Sequence, residues 1–353
     1  MLIKDIPQSR DIQEVISWGL PWEEFCGKMI LVTGANGMIP SYVVYTLLAL
    51  NDEHALGLRV LALVRNEKKA CALFRELLDR EDIKLLVQDV CEPVVIPEAI
   101  DFIIHGGSPT RPSAHASAPT DTLKANLVGT LNLLDLAVQK VSQAFVLMSS
   151  SEVYGTVSSE LKKIQEDDYG FIDILNPRSC YSEGKRAAET ICVAYNAQFD
   201  IACRMPRFGH VYGPGLALDD GRVQADFAAN VLRGEDIVLQ SDGSSVRSYT
   251  YVSDAVAGLF FVLLKGTDGA YNVADSRGTV SIRQLAEAFA SARPEKGLRV
   301  SAREVKSNGR SYNPASFIAL DDSRLRCLGW EPRVTLQEGV DRMLSYYEAL
   351  GLQ

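Results

Sequence analysis

The sequence predicts an α/β fold: a Rossmann-like doubly wound parallel sheet with a smaller C-terminal substrate-binding α/β region. Three observations lead to this prediction. Short apolar runs recur along the first half of the chain, segments with helical periodicity separate them, and a glycine turn joins the first run to the first helix. Strands that alternate with helices in this way are typical of parallel sheets covered by helices on both faces.

The predicted elements follow this pattern along the chain. Five apolar strands lie at 28–33, 58–64, 83–90, 101–107 and 144–150. Helical patterns separate them, and the clearest ones run over 41–50 and 122–139. After residue 200 the order is less regular, with a strand at 200–208, a loop rich in Gly and Asp at 213–222, a helix at 223–233 and a short strand at 236–240. This change predicts the start of a separate substrate-binding region.

The elements divide the chain into three predicted segments. Residues 1–27 form an N-terminal helical extension, because apolar residues recur at roughly helical spacing, namely Ile12, Val15, Ile16 and Trp18. Residues 28–200 form the dinucleotide-binding domain, and a segment near 236–262 returns to it. Residues 201–353 form mainly the substrate-binding region.

Composition limits the class of protein. With 47% hydrophobic and 23% charged residues, the chain resembles ordinary globular proteins, and its net charge of −9 argues against a nucleic acid partner. Seven scattered cysteines without a Cys-x-x-Cys pair, and no histidine cluster at metal spacing, predict reduced thiols and no metal. A polar N-terminus and the lack of a long apolar run predict a cytoplasmic protein without a membrane partner.

The glycine turn predicts a cofactor site. Gly34 and Gly37 follow a buried strand and precede a helix, so backbone amides at the helix N-terminus can approach a pyrophosphate. Pro40 stands where a third glycine is usual, and proline is tolerated in a first helical turn. A purely structural turn is the alternative. The predicted cofactor-binding residues in and after this turn are Gly34, Asn36, Gly37, Met38 and Ile39, with Arg65, Asp89, Val90, Gly106, Gly107 and Ser108 at the ends of later strands.

The identity of the dinucleotide stays open at this point. NAD sites usually carry an acidic residue at the end of the second strand, but Arg65 stands there, with Lys68 and Lys69 nearby. These cations favour the 2′-phosphate of NADP, or they form a solvated basic loop. The cofactor is therefore predicted to be NAD or NADP, retained through the reaction cycle.

Tyr181 and Lys185 are the candidate catalytic pair. They lie four residues apart in a segment with helical character, so both side chains share one face. A free tyrosine, with a pKa of about 10, is a poor base at neutral pH, but the Lys185 ammonium and a cationic nicotinamide both favour phenolate. The pair predicts a base that takes a proton from a hydroxyl while hydride leaves the same carbon, with Ser150 orienting that hydroxyl. Tyr181, Lys185 and Asn126 are also predicted to bind the cofactor; Asn126 either holds a proton-relaying water near Lys185 or satisfies local backbone groups.

These motifs, together with later segments, resemble a known family: the extended short-chain dehydrogenases/reductases, which include nucleotide-sugar epimerases, dehydratases and decarboxylases. The resemblance covers about residues 28–348, and within the family the sequence is most similar to UDP-glucuronate decarboxylases. It implies NAD-dependent or NADP-dependent chemistry at the C4 hydroxyl of a nucleotide-diphosphate sugar, and usually a homodimer formed by the helices of Asn126 and Tyr181. The segments that carry it are SSSEVYG, PRSCYSEGKRAAET, DDGRVQADF, RSYTYVSDAVAGL and LGWEPRVTLQEGV.

The resemblance assigns roles to individual residues. It makes Ser150, Tyr181 and Lys185 the oxidation set, and Ser151 and Glu152 the residues that manage the sugar carboxylate and protonation at C5. The predicted substrate-binding residues are Pro109, Arg111, Glu152, His210, Arg222 and Arg247. Arginines bind carboxylate and diphosphate oxygens in bidentate fashion, although surface ion pairs with nearby aspartates are the alternative for Arg222 and Arg247.

Some positions depart from the family pattern, and the reaction stays open. His210 stands where the family commonly has Asn, and Arg310 is the nearest residue to an arginine that relatives often supply to the nucleotide. A Ser-Glu pair at 151–152 occurs in decarboxylases and in some 4,6-dehydratases. The leading expectation is decarboxylation or C4 epimerisation, the alternative is 4,6-dehydration, and a non-catalytic dinucleotide sensor is the third possibility.

Overall fold

A parallel sheet forms the centre of the molecule. A computed structural model describes residues 2–158, 160–303 and 317–352. Eight strands pair in parallel in the order β11-β7-β5-β4-β1-β2-β3, with the short β6 beside β7. The strands are β1 (Met29–Thr33), β2 (Arg59–Val64), β3 (Ile83–Val87), β4 (Phe102–His105), β5 (Ala144–Leu147), β6 (Ser149–Ser150), β7 (Cys203–Phe208) and β11 (Gly269–Val273).

Helices cover both faces of this sheet. The sheet residues of β1, β2, β4 and β5 are almost entirely buried, which explains why their sequences read as continuous apolar runs. The α-helices in the described ranges are α1 (Ser9–Ile16), α2 (Met38–His54), α3 (Glu67–Leu73), α4 (Pro112–Ser117), α5 (Pro119–Lys140), α6 (Cys180–Phe199), α7 (Val223–Arg233), α8 (Val252–Lys265), α9 (Ile282–Ser291), α10 (Ser323–Arg326) and α11 (Leu336–Ala349).

Two smaller sheets lie outside the main one. In the first, β10 pairs with β8, β12 and β14, and in the second β9 pairs with β13. Their strands are β8 (His210–Tyr212), β9 (Ile237–Leu239), β10 (Val246–Tyr251), β12 (Thr279–Ser281), β13 (Val300–Ala302) and β14 (Phe317–Ile318). The first of them, through His210 on β8 and Arg247 on β10, lines the carboxyl end of the main sheet, where an open α/β sheet binds its ligands.

This architecture confirms the predicted fold class. Every strand expected in the first 150 residues forms, and the helix expected at 223–233 has those bounds in α7. The chain returns to the main sheet through α8 and β11, whereas the short strand expected at 236–240 pairs with β13 outside that sheet. The division into three segments stays a prediction. Within the described part of the chain, no helix has the length and apolarity needed to cross a membrane.

The N-terminal helix α1 is fixed to the rest of the molecule by one buried carboxylate. Asp11 accepts hydrogen bonds from the hydroxyls of Tyr42 on α2 (3.0 Å) and Tyr251 on β10 (2.9 Å), and it pairs with Arg342 on α11 (3.0 Å). Burial raises the pKa of Asp11, and these three donors oppose the rise. The carboxylate thus joins α1 to three elements that are distant in sequence.

Candidate active site

A large cleft runs along the carboxyl ends of the main-sheet strands and has a volume of about 800 Å³. Its lining contains every predicted catalytic and substrate-binding residue and all the predicted cofactor-binding residues except Asn126. The cleft is long enough to pass from the glycine turn, where β1 ends, to Tyr181 on α6. The fold therefore brings together residues that are widely separated in the sequence.

Close packing at two glycines shapes the dinucleotide end of the cleft. Gly34 has φ +65°, and a Cβ at this position would lie 2.6 Å from the carbonyl oxygen of Gly106. A Cβ at Gly106 would in turn meet Met148 and Pro40 at 2.8 Å. The ends of β1 and β4 consequently approach closely enough to exclude any side chain, which is the condition for a ligand to contact the backbone directly.

The residues present at this end fit a nicotinamide dinucleotide. Helix α2 begins after Gly37, whose position provides no side-chain cap, so the amides of the first turn of α2 are open to an anion. Met38 and Ile39 line the cleft beside them. At the far end, Arg65 pairs with Asp89 at 3.5 Å, and the Arg65 side chain is 68% exposed.

The candidate catalytic residues converge at the opposite end. Ser150 ends β6, and Tyr181 and Lys185 lie one turn apart on α6. The Lys185 Nζ lies 5.9 Å from the centre of the Tyr181 ring and donates a 2.8 Å hydrogen bond to the Met148 carbonyl oxygen. Lys185 is therefore held by the sheet end, close to the tyrosine ring.

Burial dominates the protonation of this pair. It raises the pKa of Tyr181 to about 12, and the Glu152 carboxylate adds to the rise, while the Ser150 hydroxyl and two nearby guanidinium groups oppose it. Burial also lowers the pKa of Lys185 to about 8, against the opposing effect of Glu189. The protein groups alone thus keep Tyr181 protonated, and the predicted stabilisation of phenolate depends on the cationic cofactor ring.

Glu152 is held by a partner that the sequence did not single out. Arg178 binds its carboxylate in bidentate fashion, with Nη2 to Oε1 at 3.0 Å and Nη1 to Oε2 at 3.3 Å. The Ser182 hydroxyl donates a third hydrogen bond to Oε2 at 2.8 Å. Glu152 therefore meets the cleft as an ion pair rather than as a lone carboxylate.

His115 is a second residue that sequence reasoning missed. It comes from the short helix α4, and its ring stacks on Tyr181 with a centroid distance of 4.5 Å and an angle of 16°. Its Nε2 lies 3.1 Å from the carbonyl oxygen of Pro109, which orients the ring. Burial lowers the pKa of His115, so the stacked ring is neutral at pH 7.

Three predicted arginines surround the substrate end. Arg222 pairs with the buried Asp220 at 2.6 Å, and Arg111 pairs with the exposed Asp219 at 3.1 Å. Arg222 thus has an aspartate partner, but a buried one, and it lines the cleft. Arg247 donates to the Val246 carbonyl oxygen at 2.8 Å, and burial lowers its pKa.

His210 and Asn126 each carry a buried polar atom without a partner in the described residues. Burial and the nearby arginines lower the pKa of His210 to about 4, and its Nδ1 has no hydrogen-bond partner. The amide of Asn126 donates to the Thr122 carbonyl oxygen at 2.9 Å, and its Oδ1 is unsatisfied. Gly184 on α6 packs on Asn126, which lies outside the cleft lining, and the proton-relaying water stays a prediction. Arg310 lies outside the described residues.

A buried ion pair ties the catalytic helix to the sheet. Glu189, one turn after Lys185 on α6, pairs with Arg207 on β7 at 2.6 Å. Arg207 also donates to the Tyr154 hydroxyl at 3.1 Å, and Glu189 accepts a hydrogen bond from the Ser149 hydroxyl. Ser149 and Tyr154 flank the Ser150–Glu152 segment, so the pair fixes both halves of the candidate catalytic set.

The cleft is electropositive within an acidic protein. Its described lining carries seven cationic side chains and three carboxylates, although the whole chain has a net charge of −9. Such local concentration of charge attracts anionic ligands. The cations are Arg65, Lys69, Arg111, Arg178, Lys185, Arg222 and Arg247, and the carboxylates are Asp89, Glu152 and Asp220.

Comparisons with known proteins identify the class that this fold and site define. The sequence profile of the NAD dependent epimerase/dehydratase family matches residues 30–274. The chain belongs to this family, which confirms the resemblance seen in the sequence, the enzyme class and the expectation of a nicotinamide cofactor.

Individual relatives are similar to this chain over most of its length. The chain is 33% identical to UDP-glucuronic acid decarboxylase 3 of Arabidopsis thaliana, over 91% of this chain and 90% of that protein. It is 31% identical to UDP-glucuronic acid decarboxylase 1 of Xenopus tropicalis, over 91% of this chain and 72% of that protein. A crystal structure of the UDP-glucuronic acid 4-epimerase of Bacillus cereus, with UDP-glucuronic acid and NAD, shares the fold with a TM-score of 0.75, at 22% identity and over 91% and 99% of the two chains.

Replacing Lys185 by Met is expected to stabilise the protein at neutral pH. The folded state lowers the lysine pKa from 10.5 to about 8, so protonation opposes folding by about 3 kcal/mol below pH 8. Loss of the bond to Met148 offsets about 1 kcal/mol of this. Urea unfolding should therefore show a gain of about 2 kcal/mol at pH 7.

The pH dependence of this gain distinguishes its cause. The unfavourable contribution of Lys185 protonation to folding decreases as the pH rises from about 8 to 10.5. The gain in unfolding free energy of Lys185→Met should therefore disappear over that interval. Exposed Lys4 offers a matched control, because Lys4→Met should leave the free energy of unfolding unchanged at pH 7 and over the interval from about 8 to 10.5. A variant less stable than the wild type at pH 7 contradicts the prediction.

Proposed function

We propose that this protein decarboxylates a UDP-hexuronate by oxidising and then re-reducing its C4 position, with NAD retained through the cycle. The observation that carries the proposal is the convergence of Ser150, Tyr181, Lys185 and the Arg178–Glu152 pair at one end of an electropositive cleft whose other end fits a dinucleotide. The likeness to UDP-glucuronic acid decarboxylases over nearly the whole chain supports the choice of reaction.

The chain's own residues account for the proton transfers. Tyr181, whose ring is fixed by the stacked His115, takes the proton of a C4 hydroxyl that Ser150 orients. The chemistry that a bound nicotinamide supplies is reversible uptake of a hydride. Gly34, Gly37 and the first turn of α2 would hold the pyrophosphate of that cofactor.

Decarboxylation follows from the ketone that C4 becomes. The ketone lies β to the substrate carboxylate, so the electrons of the breaking carbon–carbon bond pass into it as carbon dioxide leaves. One proton is then taken up at C5, beside Ser151 and Glu152. Tyr181 returns its proton when C4 is reduced again, which leaves a UDP-pentose and an unchanged cofactor.

The first test is incubation with UDP-glucuronate. We expect carbon dioxide and a UDP-pentose in equal amounts, and Tyr181→Phe should lower the rate by about 10²–10⁴-fold because the proton acceptor is lost. Tyr195→Phe is the matched control, because this tyrosine lies on the same helix with its hydroxyl on Asp135. A C4-epimerised uronate as the product supports the epimerase alternative, and an unchanged substrate contradicts the proposal.

We further propose that NAD rather than NADP is the cofactor of this chain. The Asp89 carboxylate neutralises the positive charge of Arg65, which would otherwise attract the 2′-phosphate of NADP. The same carboxylate would also repel that phosphate directly. Arg65 is also largely exposed, which weakens such an ion pair. The name of the family agrees with this choice.

Mass spectrometry of the dinucleotide released on denaturation tests the cofactor. We expect NAD, and we expect Asp89→Asn to raise the affinity for NADP relative to NAD, because it removes the carboxylate that neutralises Arg65. Arg65→Ala should leave NAD binding within about twofold, since an exposed cation contributes little. Recovery of NADP from the wild-type protein contradicts the proposal.

The helix pair α5 and α6 is proposed as a homodimer interface. The two helices pack on each other, and their outer faces expose Val128 and Leu131 on α5 and Val193 on α6. Apolar side chains grouped on an outer face are typical of surfaces that bind a partner. The resemblance to dimeric relatives points to a second copy of this chain.

Sedimentation of a charged variant tests the dimer. The double variant Leu131→Arg and Val193→Arg should sediment as a monomer, because two arginines on each copy would face each other across the interface. Val238→Arg is the control, because it adds a charge at an exposed apolar position on β9. A wild-type protein that is already monomeric at micromolar concentration overturns this part of the proposal.

A further inference from the structure

The ion pair of Arg178 and Glu152 occupies the substrate end of the cleft. Both terminal nitrogens of the guanidinium contact the two carboxylate oxygens, at 3.0 and 3.3 Å. This end-on arrangement is the one by which arginine recognises any carboxylate. The same edge of Arg178 cannot hold a second carboxylate while Glu152 occupies it.

The backbone of Arg178 is fixed, whereas its side chain is accessible. Arg178 lies in a 3₁₀ turn, Pro177–Ser179, directly before α6, where its amide donates to the Asn176 side chain at 3.0 Å. The side chains of Arg178 and Glu152 are 42% and 39% exposed. Exposed pairs of this kind contribute about 0–1 kcal/mol, so a competing carboxylate can displace Glu152 at small cost.

The other arginines at this end have different surroundings. Arg222 is tied to Asp220, which is 7% exposed at its side chain, and Arg111 is tied to Asp219 and Asp220. Arg247 is largely buried and contacts the Val246 carbonyl oxygen. Among these described arginines, Arg178 has a counterion that is itself a candidate catalytic group.

We propose that Arg178 is a specificity-determining residue that exchanges Glu152 for the carboxylate of a nucleoside diphosphate hexuronate. This inference rests on the proposed function and names how its substrate class is selected. Binding of the uronate carboxylate to Arg178 releases Glu152, which keeps its hydrogen bond from Ser182. A neutral hexose offers no competing anion, so Glu152 stays paired. Capture of the substrate and release of Glu152 therefore depend on the same guanidinium.

The exchange is tested by measuring, with calorimetry, how tightly the purified protein binds two ligands. UDP-glucuronate and UDP-glucose differ only at C6, which is a carboxylate in the first and a hydroxymethyl group in the second, so their affinities compare recognition of the carboxylate with that of a neutral group. Arg178→Gln should weaken UDP-glucuronate binding roughly tenfold or more, the usual effect of losing a charged hydrogen-bond partner, and should leave UDP-glucose within about twofold. Arg178→Lys should restore part of the loss.

The Glu152→Gln variant provides the independent arm. It removes the internal competitor for Arg178, so it should strengthen UDP-glucuronate binding severalfold and leave UDP-glucose unchanged. A passive structural pair predicts the opposite, since loss of either partner would then weaken both ligands alike. Arg233→Gln, which alters an exposed arginine paired with Glu235 elsewhere on the surface, is the charge control.

The outcomes separate this inference from the proposed function. Equal losses for both ligands in Arg178→Gln, or weaker UDP-glucuronate binding in Glu152→Gln, overturn the exchange. A wild-type protein that binds both ligands with equal affinity also overturns it, while the proposed nucleotide-sugar function stands. A wild-type protein that binds neither ligand overturns both.

Discussion

The buried pair of Glu189 and Arg207 is the interaction on which the geometry of the site depends. Two charges removed from water are costly unless hydrogen bonds compensate them, and here Ser149, Tyr154 and the backbone of residue 166 supply those bonds. Because Glu189 is on α6 and Arg207 on β7, the pair fixes the helix of Tyr181 and Lys185 against the sheet end that carries Ser150. The catalytic distances follow from this contact.

Electrostatics then distinguish the two ends of the cleft. At the dinucleotide end, helix-terminal amides and close backbone packing suit a pyrophosphate. At the sugar end, arginines are balanced by Glu152, Asp219 and Asp220 in specific pairs. An acidic chain with a cationic cleft repels anions over most of its surface and concentrates them where the chemistry occurs.

Local sequence pattern predicted the sheet, the glycine turn and the Tyr181–Lys185 face, because strand runs and helical spacing are properties of neighbouring residues. The family resemblance supplied Ser151, Glu152 and the substrate arginines. The partners Arg178 and His115 were missed, since an ion pair or a ring stack depends on which elements meet in three dimensions. Asn126 donates to a carbonyl oxygen of its own helix, which is one of the two alternatives that the sequence left open, and its role at the cofactor stays a prediction.

The contact between Gly34 and Gly106 has a consequence for how such a protein diversifies. At that end of the cleft a side chain at either glycine would clash with backbone or with neighbouring residues. At the sugar end, Glu152 and Arg178 stand on 3₁₀ turns, and both side chains are partly exposed. Sequence change at these two turns therefore alters the lining of the cleft without moving the main chain at the glycines.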